Sequence, residues 1–150
     1  MFQRRKSKQI QIGPVKIGGD APVSIQSMTN TDTRDAAATL AQIRELASAG
    51  CEIVRVTVPD EAAVAALPEI LAGSPLPVIA DIHFDYRLAL GSIRAGVHGV
   101  RLNPGNIGSA EKVRAVAEAA GEAGIPIRVG ANSGSLPKGM AAANRAAGMS

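Results

Sequence analysis

Residues 77–108 read PVIADIHFDYRLALGSIRAGVHGVRLNPGNIG and decide the fold, because they contain a strand, a helix and a second strand. Apolar and polar residues alternate in the first strand, which places Asp81 and His83 on one face. Arg101 and Asn103 share one face of the second strand in the same way. Strands joined by a helix are normally parallel and covered by helices, so both faces should be apolar. Charged side chains are costly there unless something meets them, and the pattern therefore indicates a binding site.

The same strand-and-helix unit recurs along the rest of the chain at a spacing of about 25 residues. Further buried strands are predicted at residues 23–28, 52–58 and 125–132. We expect Thr31 or Asp32 to cap the helix after the first of these strands, and Pro68 to kink or divide the next helix. Alternating strands and helices of this kind form a parallel α/β fold.

Two parallel architectures compete, a doubly wound sheet and part of a (β/α)8 barrel. A dinucleotide-binding doubly wound sheet requires G-x-G-x-x-G after its first strand, whereas residues 23–33 (VSIQSMTNTDT) contain no glycine. A barrel places its functional residues at the C-terminal ends of several strands, which is the distribution in this chain. Residues 9–22 predict a β-hairpin positioned to plug one end. We therefore predict a partial (β/α)8 TIM barrel of about five units, preceded by an N-terminal β-hairpin.

Composition limits the classes of function. The 150 residues are 46% hydrophobic, 19% charged and 2% aromatic, with a net charge of +3. Dispersed Lys and Arg, with so few aromatic side chains to stack on bases, argue against nucleic-acid binding. No window offers about 20 consecutive apolar residues, so no membrane span is expected. The single cysteine, Cys51, is expected in the core at the bottom of the barrel, excludes a disulfide framework or metal motif within the chain, and fits a cytoplasmic protein.

Polar side chains repeat on one face of four successive strands. They are Arg55 and Thr57, Asp81 and His83, Arg101 and Asn103, and Arg128 with Asn132. In a barrel this face points to the axis, where three arginines and one aspartate would leave a net positive charge. Such a cluster needs a counter-charge, and the guanidinium fork suits phosphate oxygens, so we predict a phosphorylated, multiply anionic ligand. The alternative is an internal network in which Asp81 and other acids neutralise the arginines.

Two further features each have two interpretations. Residues 103–109 (NPGNIGS) join a strand to a helix, and they either hold an anion on their backbone amides or form a tight turn. His83 is a candidate proton donor or hydrogen-bond partner of the ligand, and the alternative is a structural histidine.

Five motifs of the chain resemble the hydroxymethylbutenyl diphosphate synthase family of the methylerythritol phosphate pathway of isoprenoid biosynthesis; they are SIQSMTNTDT, EIVRVTV, ADIHFDYRLAL, GVRLNPGNIG and IRVGANSGSLPKG. The resemblance implies an oxidoreductase that converts 2-C-methyl-D-erythritol 2,4-cyclodiphosphate to 4-hydroxy-3-methylbut-2-enyl diphosphate, with electrons from flavodoxin or ferredoxin. It implies that three arginines grip the diphosphate, namely Arg55, Arg101 and Arg128. It also implies pocket-lining roles for Asp81, His83, Asn103 and Asn132.

The cofactor implied by the resemblance is a [4Fe-4S] cluster, held by three cysteines and a glutamate in a C-terminal domain. These 150 residues contain one cysteine, so we expect them to be the N-terminal part of the substrate-binding barrel and to be inactive without the cluster domain. The complete protein is expected to be a homodimer. Two other hypotheses remain: another phosphate- or pterin-binding TIM-barrel enzyme without a cluster, or a catalytically inactive anion-binding fragment.

Overall fold

The computed structural model describes residues 5–130. A two-stranded antiparallel hairpin is followed by a five-stranded parallel sheet whose strands alternate with helices. The strands are β1 (Ile10–Ile12), β2 (Val15–Ile17), β3 (Gln26–Met28), β4 (Ile53–Thr57), β5 (Val78–Ile82), β6 (Gly99–Leu102) and β7 (Ile127–Val129). The helices are α1 (Ala36–Ser48), α2 (Glu61–Gly73), α3 (Tyr86–Ala95), α4 (Pro104–Ile107) and α5 (Ala110–Glu122).

The order of the strands in the sheet decides between the two predicted architectures. The five parallel strands follow the order β3-β4-β5-β6-β7, so each one pairs with the next strand in sequence. A doubly wound sheet reverses its strand order at a switch point, and residues 5–130 contain no such reversal. The sheet is also curled, so that its two edges approach each other. Arg128 Nη1 on β7 donates a 3.1 Å hydrogen bond to Gln26 Oε1 on β3 at the opposite edge. The predicted partial barrel is confirmed.

Helices cover the outer face of the sheet, and aspartate side chains start three of them. Asp35, Asp60 and Asp85 each accept a hydrogen bond from a backbone N–H in the first turn of α1, α2 and α3. The prediction that Thr31 or Asp32 caps α1 is wrong, because the Asp32 carboxylate accepts hydrogen bonds from Arg34 instead. The buried core lies between these helices and the outward strand residues, which are Val54, Val56, Val58, Val78, Ala80, Ile82, Val100 and Leu102.

The first strand of the sheet is shorter and more exposed than the sequence predicts. β3 begins at Gln26 rather than at residue 23, and Val23 and Ile25 are 76% and 59% exposed. In the part of the chain that the structure describes, β3 pairs only with β4. The other side of β3 therefore has no neighbouring strand to bury these two side chains.

Pro68 lies inside α2, which runs without interruption over Glu61–Gly73. Pro68 therefore does not divide this helix, and a kink at Pro68 stays a prediction. Its neighbours Leu67 and Ile70 are fully buried against the sheet, and this packing holds both halves of the helix in place. None of the described helices is long and apolar enough to cross a membrane.

The N-terminal hairpin closes the end of the sheet at which the strands begin. Ile12 is buried and packs with Ile53 of β4 and Ile79 of β5. Gly13 lies in the hairpin turn with φ +54°, and a Cβ there would be 3.0 Å from Pro77 Cβ and 3.1 Å from the His98 ring. Glycine therefore lets the turn approach the sheet closely. The predicted plug is confirmed, and functional side chains are left to the opposite end.

Candidate functional site

Asp81 is the centre of a charged cluster near the C-terminal ends of β4, β5 and β6. Its side chain is 3% exposed, and the strand register places it between Thr57 and Arg101. Asp81 Oδ1 lies 3.1 Å from Arg101 Nη1, and Asp81 Oδ2 lies 3.2 Å from Arg55 Nε. His83 Nε2 lies 3.7 Å from Oδ1. We refer to these four residues, Arg55, Asp81, His83 and Arg101, as the Asp81 cluster.

The two arginines of the Asp81 cluster are held in different ways. Arg101 Nη1 donates a hydrogen bond to Asp81. Arg55 Nε is close enough to Asp81 for an ion pair, but its N–H is not directed at any acceptor among the described residues, although the atom is buried. Arg55 Nη2 lies 3.2 Å from the sulfur of Met28, which is a weak acceptor. Arg55 thus keeps hydrogen-bonding capacity that the described protein does not use.

The cluster carries more positive than negative charge. Asp81 is the only carboxylate within ion-pair distance of Arg55 or Arg101 in residues 5–130, and residues 1–4 and 131–150 contain no Asp or Glu. Both arginine side chains are about four-fifths buried, at 23% and 21% exposure. Two guanidinium groups against one carboxylate favour the binding of an anion, which would supply the missing counter-charge.

Arg128 makes no ion pair with Asp81 among the described residues, although it is the register partner of Arg101 on the neighbouring strand. It is exposed and donates to Gln26 rather than to an acid. A cavity of about 700 Å³ on the inward face separates the hairpin from the charged side chains, and both Arg55 and Arg128 line it. Arg101 does not line this cavity but adjoins it through Asp81 and Arg55. The structure therefore pairs Arg55 and Arg101 with Asp81, and it directs Arg128, from the strand position next to Arg101, to Gln26.

The structure describes one of the two asparagines of the predicted site. Asn103 is buried, and its Oδ1 accepts a 3.2 Å hydrogen bond from the Gly105 backbone at the start of α4. Residues 103–109 accordingly contain a short helix that the sequence did not predict, and both interpretations of this segment stay predictions. A contact between Asn103 and a ligand stays a prediction. Asn132 lies outside the described residues.

Sequence reasoning missed two side chains that hold the arginines. Gln26 accepts from Arg128, and the sulfur of Met28 lies against Arg55. The signal was present, because residues two apart on a strand share a face and Met28 is the register partner of Arg55. A search for charged residues does not find Gln26 or Met28, because neither side chain carries a charge.

Two loops at the same end of the sheet repeat one Asp-x-Arg arrangement. Asp85 accepts hydrogen bonds from both the backbone and the side chain of Arg87, and Asp32 does the same with Arg34. The Arg87 side chain is the main reason why the pKa of Asp85 lies below its usual value, and Arg34 lowers the pKa of Asp32 likewise. These exposed pairs shape the loops around the site and contribute little to global stability.

The described residues do not fit an iron–sulfur cluster or another metal centre. Among them, no group of three or more His, Cys, Asp and Glu side chains is close enough to hold a metal ion. Cys51, the one cysteine of the sequence, is buried beside the start of β4, with its sulfur 3.0 Å from the Ile53 carbonyl oxygen. It therefore lies at the end of the sheet opposite Asp81.

Sequence comparisons with a family model and with individual proteins agree with each other. The GcpE TIM-barrel domain family matches residues 7–149. The chain is 59% identical over 142 residues to a protein of Maridesulfovibrio salexigens named 4-hydroxy-3-methylbut-2-en-1-yl diphosphate synthase (flavodoxin), covering 95% of this chain and 40% of that protein. Proteins of the same name from Geobacter sulfurreducens and Aquifex aeolicus are 62% and 58% identical, with 90% and 92% of this chain covered and 38% and 39% of theirs. The chain thus spans about 40% of the length of these relatives.

Comparison of structures supports the same fold. A dihydropteroate synthase from Yersinia pestis superposes with a TM-score of 0.59 over 93% of this chain and 54% of that chain. The sequences are 16% identical, so this likeness concerns the barrel fold alone.

Proposed function

The chain belongs to the GcpE TIM-barrel domain family, and on that premise we propose that its Asp81 cluster binds the diphosphate group of 2-C-methyl-D-erythritol 2,4-cyclodiphosphate. The enzyme would open this ring reductively to 4-hydroxy-3-methylbut-2-enyl diphosphate, the product in the name of the curated relatives. Residues 1–150 would form the N-terminal part of the substrate-binding barrel. The remaining functions of the enzyme would belong to residues outside this chain.

The uncompensated charge of the Asp81 cluster carries the proposal. Asp81 contacts Arg55 through one carboxylate oxygen and Arg101 through the other, which holds the two guanidinium groups on either side of it. We propose that N–H groups of these two guanidinium groups that Asp81 does not engage contact the diphosphate. Because guanidinium and phosphate form strong, charge-assisted hydrogen bonds, one diphosphate would satisfy both arginines at once.

The same two arginines would assist the reaction itself. Opening the cyclic diphosphate breaks a carbon–oxygen bond and leaves new negative charge on the diphosphate. Positive groups already in place where that charge develops lower the barrier, because they need no reorganisation during the reaction. The overall conversion also takes up two protons and releases water. His83, with a side chain 42% exposed beside Asp81, is our candidate donor for one of these protons.

The conversion consumes two electrons, and the described residues of this chain do not fit a metal centre that could supply them. We therefore assign a [4Fe-4S] cluster, together with its ligands, to residues outside this chain. Flavodoxin, named in the relatives, or ferredoxin would be the electron donor. We further propose that the complete enzyme is a cytoplasmic homodimer.

Titration of the full polypeptide with the cyclodiphosphate, and with inorganic pyrophosphate as a probe, tests the proposed site. Arg101→Ala and Arg55→Ala should each weaken binding about 10- to 150-fold, since a hydrogen bond to a charged group contributes about 1.5–3 kcal/mol. Arg44→Ala is the matched control, because Arg44 is exposed on α1 far from the site. Equal affinity in all three variants would refute a diphosphate site at the Asp81 cluster.

A further inference from the structure

Gly130 lies directly beside the side chain of Arg101. It follows β7, and its backbone N–H donates a 2.8 Å hydrogen bond to the Leu102 carbonyl oxygen on β6. Its φ is outside the left-handed region, so the backbone there is one that any residue adopts. The requirement for glycine at this position is therefore not conformational.

Glycine at position 130 leaves room for the side chain of Arg101. A Cβ built there would lie 2.6 Å from Arg101 Nε and 2.8 Å from Arg101 Cζ, and it would also collide with Nη2. Real Cβ atoms do not make contacts this short. The guanidinium group of Arg101 therefore lies against the bare Cα of Gly130, in a space that any other residue would occupy.

This placement of Arg101 is the one that forms the Asp81 cluster. With Nε, Cζ and Nη2 against Gly130, the remaining nitrogen, Nη1, donates to Asp81 at 3.1 Å. A side chain at position 130 would displace the whole planar group and with it the hydrogen bond. Because the colliding atoms are the far end of a flexible side chain, the arginine would move while the backbone stayed in place.

We propose that Gly130 is a positioning residue of the diphosphate site: the absence of its side chain fixes the guanidinium group of Arg101 where it can contact both Asp81 and the anion. This inference rests on the proposed function, in which Arg101 binds the diphosphate. It gives Gly130 a specific signature. Replacing it should impair binding, and lower the stability of the fold, no more than removal of the Arg101 side chain does.

The test uses Gly130→Ala in the full polypeptide, with inorganic pyrophosphate as the probe in calorimetric titration. We expect a loss of affinity of about tenfold or more, close to the loss in Arg101→Ala, because both changes remove the same charge-assisted contact. Gly121→Ala is the matched control, because a Cβ at position 121 meets no atom within 4 Å. Gly130→Ala should have a Tm close to that of Arg101→Ala, because both lose the hydrogen bond to Asp81, whereas Gly121→Ala, within α5, should be at least as stable as the parent.

The double variant Gly130→Ala/Arg101→Ala separates a positional effect from a general one. If Gly130 acts through Arg101, the double variant binds pyrophosphate no more weakly than Arg101→Ala alone. A further loss in the double variant, or parental affinity in Gly130→Ala, would overturn the inference and leave the proposed function standing. Parental affinity in Arg101→Ala would overturn both.

A folding defect in Gly130→Ala would also be informative. If the added Cβ disturbs the fold only through the Arg101 side chain, the double variant should regain the Tm of Arg101→Ala. A double variant that remains unfolded would show that position 130 matters for other contacts, and the positioning role would be wrong.

Discussion

The inward face of the sheet has two ends of opposite character, and the same strands build both. β4 carries Ile53 and then Arg55 on this face, and β5 carries Ile79 and then Asp81. Residues two apart on a strand are about 7 Å apart, so the environment changes from apolar to charged within one side-chain layer. At the first end the hairpin residue Ile12 completes a buried apolar contact. At the second end two guanidinium groups share one carboxylate.

The difference between these ends shows how the fold tolerates a binding site. An excess of buried positive charge lowers stability unless a counter-charge is present. Apolar burial raises stability and needs only complementary surfaces. The apolar end around Ile12, Ile53 and Ile79, here called the sealed end, therefore offsets the cost of the end that holds the Asp81 cluster, here called the charged end. The hairpin makes this possible because it covers side chains that the sheet alone would leave exposed.

Removal of Asp81 should produce the largest effect on this balance. Asp81→Ala leaves both arginines without their counter-charge, and we expect the free energy of unfolding to fall by about 3 kcal/mol. This is the lower end of the range for breaking a buried ion pair, because both arginine side chains are about one-fifth exposed. Chemical denaturation measures the change, and Asp20→Ala, at an exposed aspartate beside the hairpin, is the control.

Pyrophosphate sharpens the same prediction. Because the anion can replace the missing carboxylate, it should raise the Tm of Asp81→Ala by more than it raises that of the parent. An Asp81→Ala variant as stable as Asp20→Ala would show that the arginines do not depend on Asp81. The charged end would then differ from the sealed end only in its residue types, and not in a need for a counter-charge.

The sequence predicts the two ends to different degrees. Alternation along β5 is sufficient to place Ile79 and Asp81 on the inward face, since a strand has a period of two. The hairpin plug and the grouping of Arg55 with Arg101 follow from the same rule and from the parallel order of the strands. These predictions succeed because they depend on backbone geometry, which the pattern of apolar residues fixes.

Other features depend on side-chain rotamers and on neighbours that alternation does not specify. Arg128 turns to Gln26 because an amide lies across the curled sheet, and Asn103 caps α4 because the following residues form a short helix. Gly130 falls inside the strand predicted at residues 125–132, and the sequence pattern does not connect it with Arg101. Val23 is exposed because no described strand pairs with the other side of β3, which the local pattern around Val23 does not reveal.

A change confined to the sealed end should affect stability alone. Ile53→Ala removes a fully buried side chain from the contact with Ile12 and Ile79, and we expect a loss of about 2 kcal/mol in the free energy of unfolding. The lower end of the usual range applies because the hairpin can settle into part of the vacated space. Pyrophosphate affinity should change less than twofold. A large loss of affinity would show that the two ends are coupled along β4 and would remove the distinction between them.

The smallest effect is expected at the rim of the charged end, where Asp85 caps α3 and pairs with Arg87. The pKa of Asp85 is lowered in the folded protein, chiefly by the hydrogen bond from the Arg87 side chain. The contribution of the Asp85 charge to stability is therefore complete above the unfolded pKa of about 3.9 and is lost as the pH falls through the lower folded pKa.

Asp85→Asn keeps an oxygen that can cap the helix but removes the charge. We expect the parent to be slightly more stable than this variant from pH 7 to about pH 5, and the difference to shrink below about pH 4. Urea denaturation of both proteins across this pH range is the measurement, with Asp85→Ala, which also loses the cap, expected about 1 kcal/mol below the parent at neutral pH. A difference between parent and Asp85→Asn that persists unchanged to pH 2.5 would show that the charge of Asp85 makes no contribution, and that the rim depends on the cap alone.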